Sequence, residues 1–335
     1  MLRRRVGRSG LELSRLGLGT LGFGRDTDVH EARELVIQYA EAGGNWLDTS
    51  DEYSGGESER ILGQVLAQLP DAGRGLLVAT KSGGCPGEPR RYNSSRTHLL
   101  SALDASLERL GRDHIDLWQL QVRDPLTPID ESLAAADYAI SSGRVRYVGV
   151  SNYSGWQLAE SVTWQRAIPA RTDVVANQVE YSLVQRGIER EVAPAAANFG
   201  VGIIAWSPLG RGVLTGKYRR GTPADSRGSS SRMPAFIDRY LAEEPRRIVD
   251  AVCTAADGLG IAPLEVALSW VRDRPGVTSA IVGPRTTAQL AAVLQAEEIE
   301  LPFEIRAVLD EISMPDSDYP EAGWSQPSAG SQEAI

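Results

Sequence analysis

Lysine is nearly missing from this chain: of its 35 basic residues only Lys81 and Lys217 are lysines, leaving 33 arginines. Arginine-biased codon usage explains the 33 but not the two that remain. A lysine ammonium is a compact point charge whose pKa shifts on burial, which a guanidinium does not offer, so both lysines are candidates for functional positions. Cysteine is scarce as well: Cys85 and Cys253 alone exclude a disulfide framework and point to a reducing, cytoplasmic setting. No apolar run approaches the roughly 18 to 20 residues that span a bilayer, so no membrane association is expected. Residues 1–5 are basic, but no apolar h-region follows, and no signal peptide is expected. The net charge of −9 comes with no basic stretch to neutralise phosphates, which argues against a nucleic-acid partner.

What is present is an ordinary globular composition, 42% hydrophobic and 24% charged, over 335 residues, long enough for two average domains or one large barrel. Short β-rich runs lie at 16–19, 45–48, 76–80, 115–120, 145–150, 174–179, 202–206 and 278–282, eight in all. Amphipathic helical pattern separates most of them, at 31–42, 58–69, 97–110, 129–142, 188–198 and 262–271; Leu99, Leu100, Leu103, Leu107 and Leu110 show the spacing. Strands alternating with helices imply parallel pairing, and eight such units imply an α/β fold of the closed (β/α)8 TIM-barrel type in a single domain. An open doubly wound sheet is the alternative, and no G-x-G-x-x-G follows the first strand to support it.

Two segments break the rhythm. Residues 2–13 read as an N-terminal β-hairpin turning around 7–10, placed as a plug across the barrel floor. Residues 208–247 carry Gly, Pro, Ser and Arg without period and read as a long loop after strand 7, a length that marks functional or disordered segments. The barrel is expected to occupy 1–313, and the Pro-, Ser- and Gly-rich residues 314–335 to form a mobile tail.

In a parallel barrel the reactive side chains sit where the strands end, on the C-terminal face. Asp48 and Tyr53 follow strand 2, Lys81 strand 3 and Gln121 strand 4; Ser151 and Asn152 end strand 5, Gln178 strand 6, and Trp206, Ser207 and Pro208 strand 7. An acid, a phenol and one of only two lysines at adjacent strand ends form a proton-transfer set. A phenol titrates near 10, too high for ready donation at neutral pH, and a neighbouring ammonium is expected to lower it. The carboxylate would hold the lysine by an ion pair, leaving Tyr53 as general acid. Singly, Asp48 could cap a turn, Tyr53 pack in a loop and Lys81 be a surface charge; their joint placement favours chemistry.

The runs LGLGTLGFG (16–24), NWLDTSDEYSGGESERILG (45–63), VATKSG (78–83), SLERLGRDHIDLWQL (106–120), VGVSNYS (148–154), NQVEYSL (177–183) and AWSPLGRGVLTGKY (205–218) resemble those of the aldo-keto reductases. The resemblance covers about nine-tenths of the chain, from Arg5 to about residue 300. A tryptophan before SPL and GKY after it are similar to the branch that holds bacterial sugar reductases and potassium-channel β subunits. The resemblance implies a catalytic tetrad containing Asp48, Tyr53 and Lys81. It implies cofactor contacts from Gly19 and Thr20 in the first loop, and hydrogen bonds from Ser151, Asn152 and Gln178 to the nicotinamide carboxamide. Trp206 would stack on the nicotinamide, Ser207, Leu209, Arg211 and Gly212 would line the pyrophosphate, and Lys217 and Arg227 would stand near the phosphates. The segment GPRTTAQL (283–290) matches the family's adenosine-phosphate loop, which gives Gly283, Arg285 and Gln289. A guanidinium suits a 2′-phosphate, so NADPH is favoured over NADH; no metal is implied.

Two departures stand out. Gln121 occupies the position where the family usually has histidine, and neither His30, His98 nor His114 can replace it by position. An amide donates a hydrogen bond but cannot relay a proton. Ala292 and Val293 stand where relatives often carry an acid–amide pair touching adenine. Three functions follow. The first is an NADPH-dependent reductase of a ketone or aldehyde, such as a keto-sugar or specialised metabolite. The second is an enone C=C reductase, because family members reducing that bond have this histidine replaced. The third is a nicotinamide-sensing regulatory subunit without significant turnover, since channel β chains also carry an amide there. Arg90, Arg91, Arg211, Arg219 and Arg220 near the expected mouth would suit an anionic substrate or be solvated charges. The expected partner is a small carbonyl or enone substrate, and homo-oligomerisation is left open.

Overall fold

The computed structural model describes residues 1–69, 75–219, 221 and 239–316. Eight parallel strands close into one barrel: β3 (Leu16–Gly19), β4 (Trp46–Asp48), β5 (Leu77–Ser82), β6 (Ile115–Leu120), β7 (Val145–Ser151), β8 (Val174–Glu180), β9 (Gly202–Trp206) and β10 (Val277–Val282), with β10 pairing back onto β3. Apart from Arg146 in β7, no residue of these strands is exposed, as suits parallel strands covered by helices. The outer faces pack against α1 (Val29–Glu41), α2 (Glu57–Gln68), α3 (Arg96–Leu110), α4 (Ile129–Ser141), α5 (Gly155–Arg166), α6 (Val192–Phe199), α7 (Glu243–Leu259), α8 (Pro263–Arg272), α9 (Thr287–Gln295) and α10 (Phe303–Ile312). Among the described residues no single helix is long and apolar enough to cross a membrane.

Local chemistry fixes the helix ends. Asp28 accepts from the N–H groups of His30 and Glu31 to start α1, and Ser95 accepts from His98 to start α3, which closes on Gly111 at φ +62°. Along α3 Leu99, Leu103, Ser106 and Leu110 are buried, one stripe at helical spacing. Proline explains one difference from the sequence reading. The helix expected over 188–198 is divided into a 3₁₀ turn at Gly187–Glu189 and α6. Pro194 lacks an N–H, and its ring would collide with the carbonyl four residues earlier. The loop expected over 208–247 is shorter at its end, because α7 begins at Glu243; it also holds a 3₁₀ stretch at Gly210–Thr215.

The spacing G-x-G-x-x-G does occur, at Gly17, Gly19 and Gly22, but it lies within β3 and the loop after it, and the next helix starts only at Val29. These glycines serve the barrel: a Cβ on Gly17 would stand 2.2 Å from the Trp46 indole. The hairpin of β1 (Arg3–Arg5) and β2 (Glu12–Ser14) closes the opposite end. Its Val6, Leu11 and Leu13 join Trp46, Leu117, Ala176 and Ile204 in one apolar cluster inside the barrel, while Arg8 N–H donates to Gly200 at the start of β9. Residues 317–335, most of the expected tail, lie outside the described residues.

Candidate active site

Strand alternation decides which side chains enter the lumen. Trp46 points inward, and so does Asp48; Ala79 leads to Lys81, Leu117 to Gln119 and Gln121, Ala176 to Gln178, and Ile204 to Trp206. As the last inward positions before the loops, they surround the C-terminal mouth, where a cleft of about 480 Å³ opens. That volume lies in the range of small-molecule sites.

At the base of the cleft Lys81 and Asp48 form a buried ion pair, Nζ to Oδ2 at 2.8 Å, with 1% and 2% of their side chains exposed. Lys81 also donates to the Thr49 carbonyl at 2.6 Å, and Gln178 Nε2 donates to the other Asp48 oxygen at 2.8 Å. Burial alone would favour neutral Lys81, but Asp48 and Tyr53 outweigh it and raise the lysine above its ordinary value; it stays an ammonium. Its Nζ lies 5.0 Å from the centre of the Tyr53 ring. Tyr53 opens the 3₁₀ turn that follows β4. The expectation of a lowered phenol is corrected here. Burial pushes Tyr53 up, Lys81 pulls it down by charge and hydrogen bond, Asp48 opposes Lys81, and the net direction is upward.

Gln121 lines the cleft beside Tyr53. Its backbone N–H donates to the Ser82 carbonyl at 2.9 Å, and its carbonyl accepts from Asn152 Nδ2 at 3.2 Å. Asn152 is held at φ +57°, and its Oδ1 accepts from the Trp206 indole N–H at 3.0 Å, which fixes the ring at the lip. Ser151 donates to the Gln178 carbonyl at 3.0 Å. Gln178 therefore spends an amide proton on Asp48 and retains an acceptor oxygen.

Beyond Trp206 the chain turns through left-handed backbone at Ser207, Gly210, Arg211 and Gly212, and the Gly210 and Gly212 N–H groups donate to the Ser207 and Leu209 carbonyls, each at 2.9 Å. A Cβ on Gly212 would stand 3.2 Å from Lys217 Nζ, so the second lysine belongs to this loop. The Arg211 side chain pairs with Glu180 at 3.1 Å, and Glu180 also binds Arg239 and Tyr240. At the far end Thr286 caps α9, and the Arg285 N–H donates to Gln289 Oε1 at 2.9 Å. A Cβ on Gly19 would meet Ile281 at 2.6 Å, so this wall stays low only with glycine.

Of the catalytic and cofactor residues expected from the sequence, all that fall within the described residues line the cleft except Thr20. Thr20 is fully buried, and its hydroxyl is engaged with the Asp48 carbonyl and Ser58; it supports the loop from beneath. Arg227 and Arg220 lie outside the described residues. Arg90 binds Asp124 and Thr127, Arg91 lies over Tyr92, and Arg219 pairs with Asp250; none of these three lines the cleft. Sequence reasoning missed Gln119, whose Oε1 is 3.4 Å from Gln178 Nε2 and whose own Nε2 is buried without a partner. It also missed Leu264, which joins Ala292 and Val293 in an apolar patch on the lining; inward parity would have found Gln119.

The aldo/keto reductase family model matches residues 15–313. A probable voltage-gated potassium channel subunit beta of Arabidopsis thaliana is 34% identical over 92% of this chain and 94% of its own length. One of the same description from Oryza sativa subsp. japonica is 33% identical over 92% and 94%. An uncharacterized oxidoreductase of Bacillus subtilis (strain 168), YrpG, is 36% identical over 97% and 98%.

Proposed function

The chain belongs to the aldo/keto reductase family, and we propose that this oxidoreductase uses NADPH to reduce a ketone or aldehyde, with Tyr53 delivering the proton. The observation that carries the reading is the buried Asp48–Lys81 pair beneath Tyr53 at the base of a cleft. The described residues fit a nicotinamide dinucleotide. Trp206, braced by Asn152, offers a flat face to the ring, and the free acceptor of Gln178 suits the carboxamide. The Lys217 ammonium, beside Gly212 in the left-handed turn, suits the pyrophosphate. Arg285 and the N-terminus of α9 suit a 2′-phosphate, and the Leu264–Ala292–Val293 patch suits the adenine.

When bound, the reduced cofactor supplies a hydride to the carbonyl carbon. The chain's own task is then the oxygen. A phenol held above its ordinary value is protonated at neutral pH, which is the donor form. An alkoxide is a far stronger base than a phenolate, so transfer from Tyr53 to the developing alkoxide runs downhill. The resulting phenolate faces the Lys81 ammonium, which Asp48 keeps charged and in place. Gln121 donates a neutral hydrogen bond to the same oxygen. Two observations keep other readings in view. Gln121, in place of histidine, suits an enone reductase that saturates C=C. The similarity to two probable potassium channel beta subunits suits a nicotinamide-sensing protein.

The test is NADPH oxidation against aldehydes, ketones and enones, with Tyr53→Phe as control. Wild type should form alcohol in step with NADPH loss. Tyr53→Phe should lose at least about a hundredfold in rate and still bind NADPH. Equal rates in the two proteins would remove Tyr53 as proton donor.

A further inference from the structure

Ser50 is fully buried between β4 and Tyr53, and its hydroxyl has more acceptors than it can serve. Its Oγ lies 3.3 Å from Asp51 Oδ1, 3.4 Å from the Lys81 carbonyl and 3.4 Å from Gln121 Oε1, and it accepts from the Glu52 N–H at 3.4 Å. A hydroxyl carries a single proton, so these acceptors compete for it. The competition matters at Gln121. Among the described residues its Oε1 meets no other donor and its Nε2 meets no acceptor, so Ser50 is what decides which end of the amide faces the cleft. The two ends are chemically opposite. The NH2 attracts a carbonyl oxygen, whereas the C=O repels it.

We infer that Ser50 is a positioning residue: by donating to Gln121 Oε1 it turns the Gln121 NH2 toward the substrate oxygen, and ionisation of Asp51 withdraws that proton and releases the amide. An ionised carboxylate is the strongest of the three acceptors and takes the Ser50 proton. A protonated Asp51 no longer competes for it and can donate to Ser50 instead, which frees the Ser50 proton for Gln121. The surroundings of Asp51 set where the exchange falls. Burial first, then the carboxylates of Glu59 on α2 and of Glu52 in the same loop, push Asp51 up to about 7; Arg109 on α3 and the Ser50 hydrogen bond pull the other way. Glu59 is itself bound to Arg109 at 2.6 Å, and Cys85, in the loop after β5, has its thiol pushed up by burial first and then by Asp51. Gln121 is therefore held with its donor outward below the midpoint and loosened above it. The substrate-oxygen part of this inference rests on the reductase reading; the amide geometry does not.

The experiment follows the Gln121 side-chain amide directly, in uniformly ¹⁵N-labelled full-length protein, with its resonances identified by their loss in Gln121→Leu. In wild type they should shift with a single step near neutral pH, and the step should vanish in Ser50→Ala and in Asp51→Asn. In steady-state assays Ser50→Ala should raise the KM of a carbonyl substrate about three- to tenfold, the effect of one hydrogen bond, with the NADPH Kd unchanged. A step that persists in Ser50→Ala, or is missing from wild type, overturns the inference. Wild-type protein that consumes no NADPH with any carbonyl compound counts against the reductase reading alone, because the resonances still report the amide.

Discussion

Replacing Lys81 by methionine separates the structural from the chemical work of the buried ion pair. The lysine and its partner are almost completely buried, and Lys81 serves two acceptors, Asp48 Oδ2 at 2.8 Å and the Thr49 carbonyl at 2.6 Å. Removing one member of a buried pair leaves a charge uncompensated and costs about 3–5 kcal/mol. In Lys81→Met, Asp48 keeps only the Gln178 donor. Adding Asp48→Asn removes the stranded charge and should recover most of that loss. About 1–2 kcal/mol should remain, because the Thr49 carbonyl still lacks its donor. Urea denaturation of wild type, both single variants and the double variant gives the coupling energy as a double-mutant cycle. Reduction rates should follow a different order: single and double variants alike fall by at least about a hundredfold, since neither supplies a cation to the Tyr53 phenolate. The pH dependence has a definite sign. A lysine raised in the folded state stabilises fully below its unfolded value of about 10.4, and the contribution disappears as pH climbs through the higher folded value. A double variant no more stable than Lys81→Met, or one that regains activity with its stability, would refute this account of the pair.

Two further outcomes follow from the cleft. NADPH should quench tryptophan fluorescence in wild type and much less in Trp206→Ala, with seven tryptophans sharing the signal; equal quenching would remove Trp206 from the stacking role, and NADH binding as tight as NADPH would remove Arg285 from the 2′-phosphate. Gln121→His restores a titratable donor and should raise turnover on simple aldehydes by about tenfold, about 1.4 kcal/mol in the transition state; no change in rate or product would place residue 121 away from the reacting oxygen.

The barrel was legible because its strands are short, doubly buried runs, and their inward parity follows from a period of two. That same parity carries Asp48, Lys81, Gln178 and Trp206 to one mouth. Failures came where a side chain does something other than its type suggests. α5 was missed because Ser161 and Gln165 occupy buried positions that a helical pattern assigns to apolar residues; Gln165 is accommodated by bonding Asp137 and the Thr172 carbonyl. Proline within 188–198 divided an expected helix. Thr20 sits in a motif yet points into the core, and Arg211 sits in the loop after β9 yet pairs with Glu180 at the end of β8. The upward shift of Tyr53 depends on how far burial outweighs Lys81, which the order of residues does not contain.

Deuteride transfer tests the central claim most directly. NADPH carrying deuterium at the transferable C4 position is supplied with an α,β-unsaturated aldehyde, and the product is located by mass spectrometry and NMR. A carbonyl reductase in which Tyr53 protonates the oxygen predicts deuterium on the former carbonyl carbon of an allylic alcohol, with no labelled product from Tyr53→Phe. Deuterium on the β-carbon of a saturated aldehyde, or an unlabelled substrate recovered intact from the wild-type protein, would contradict it.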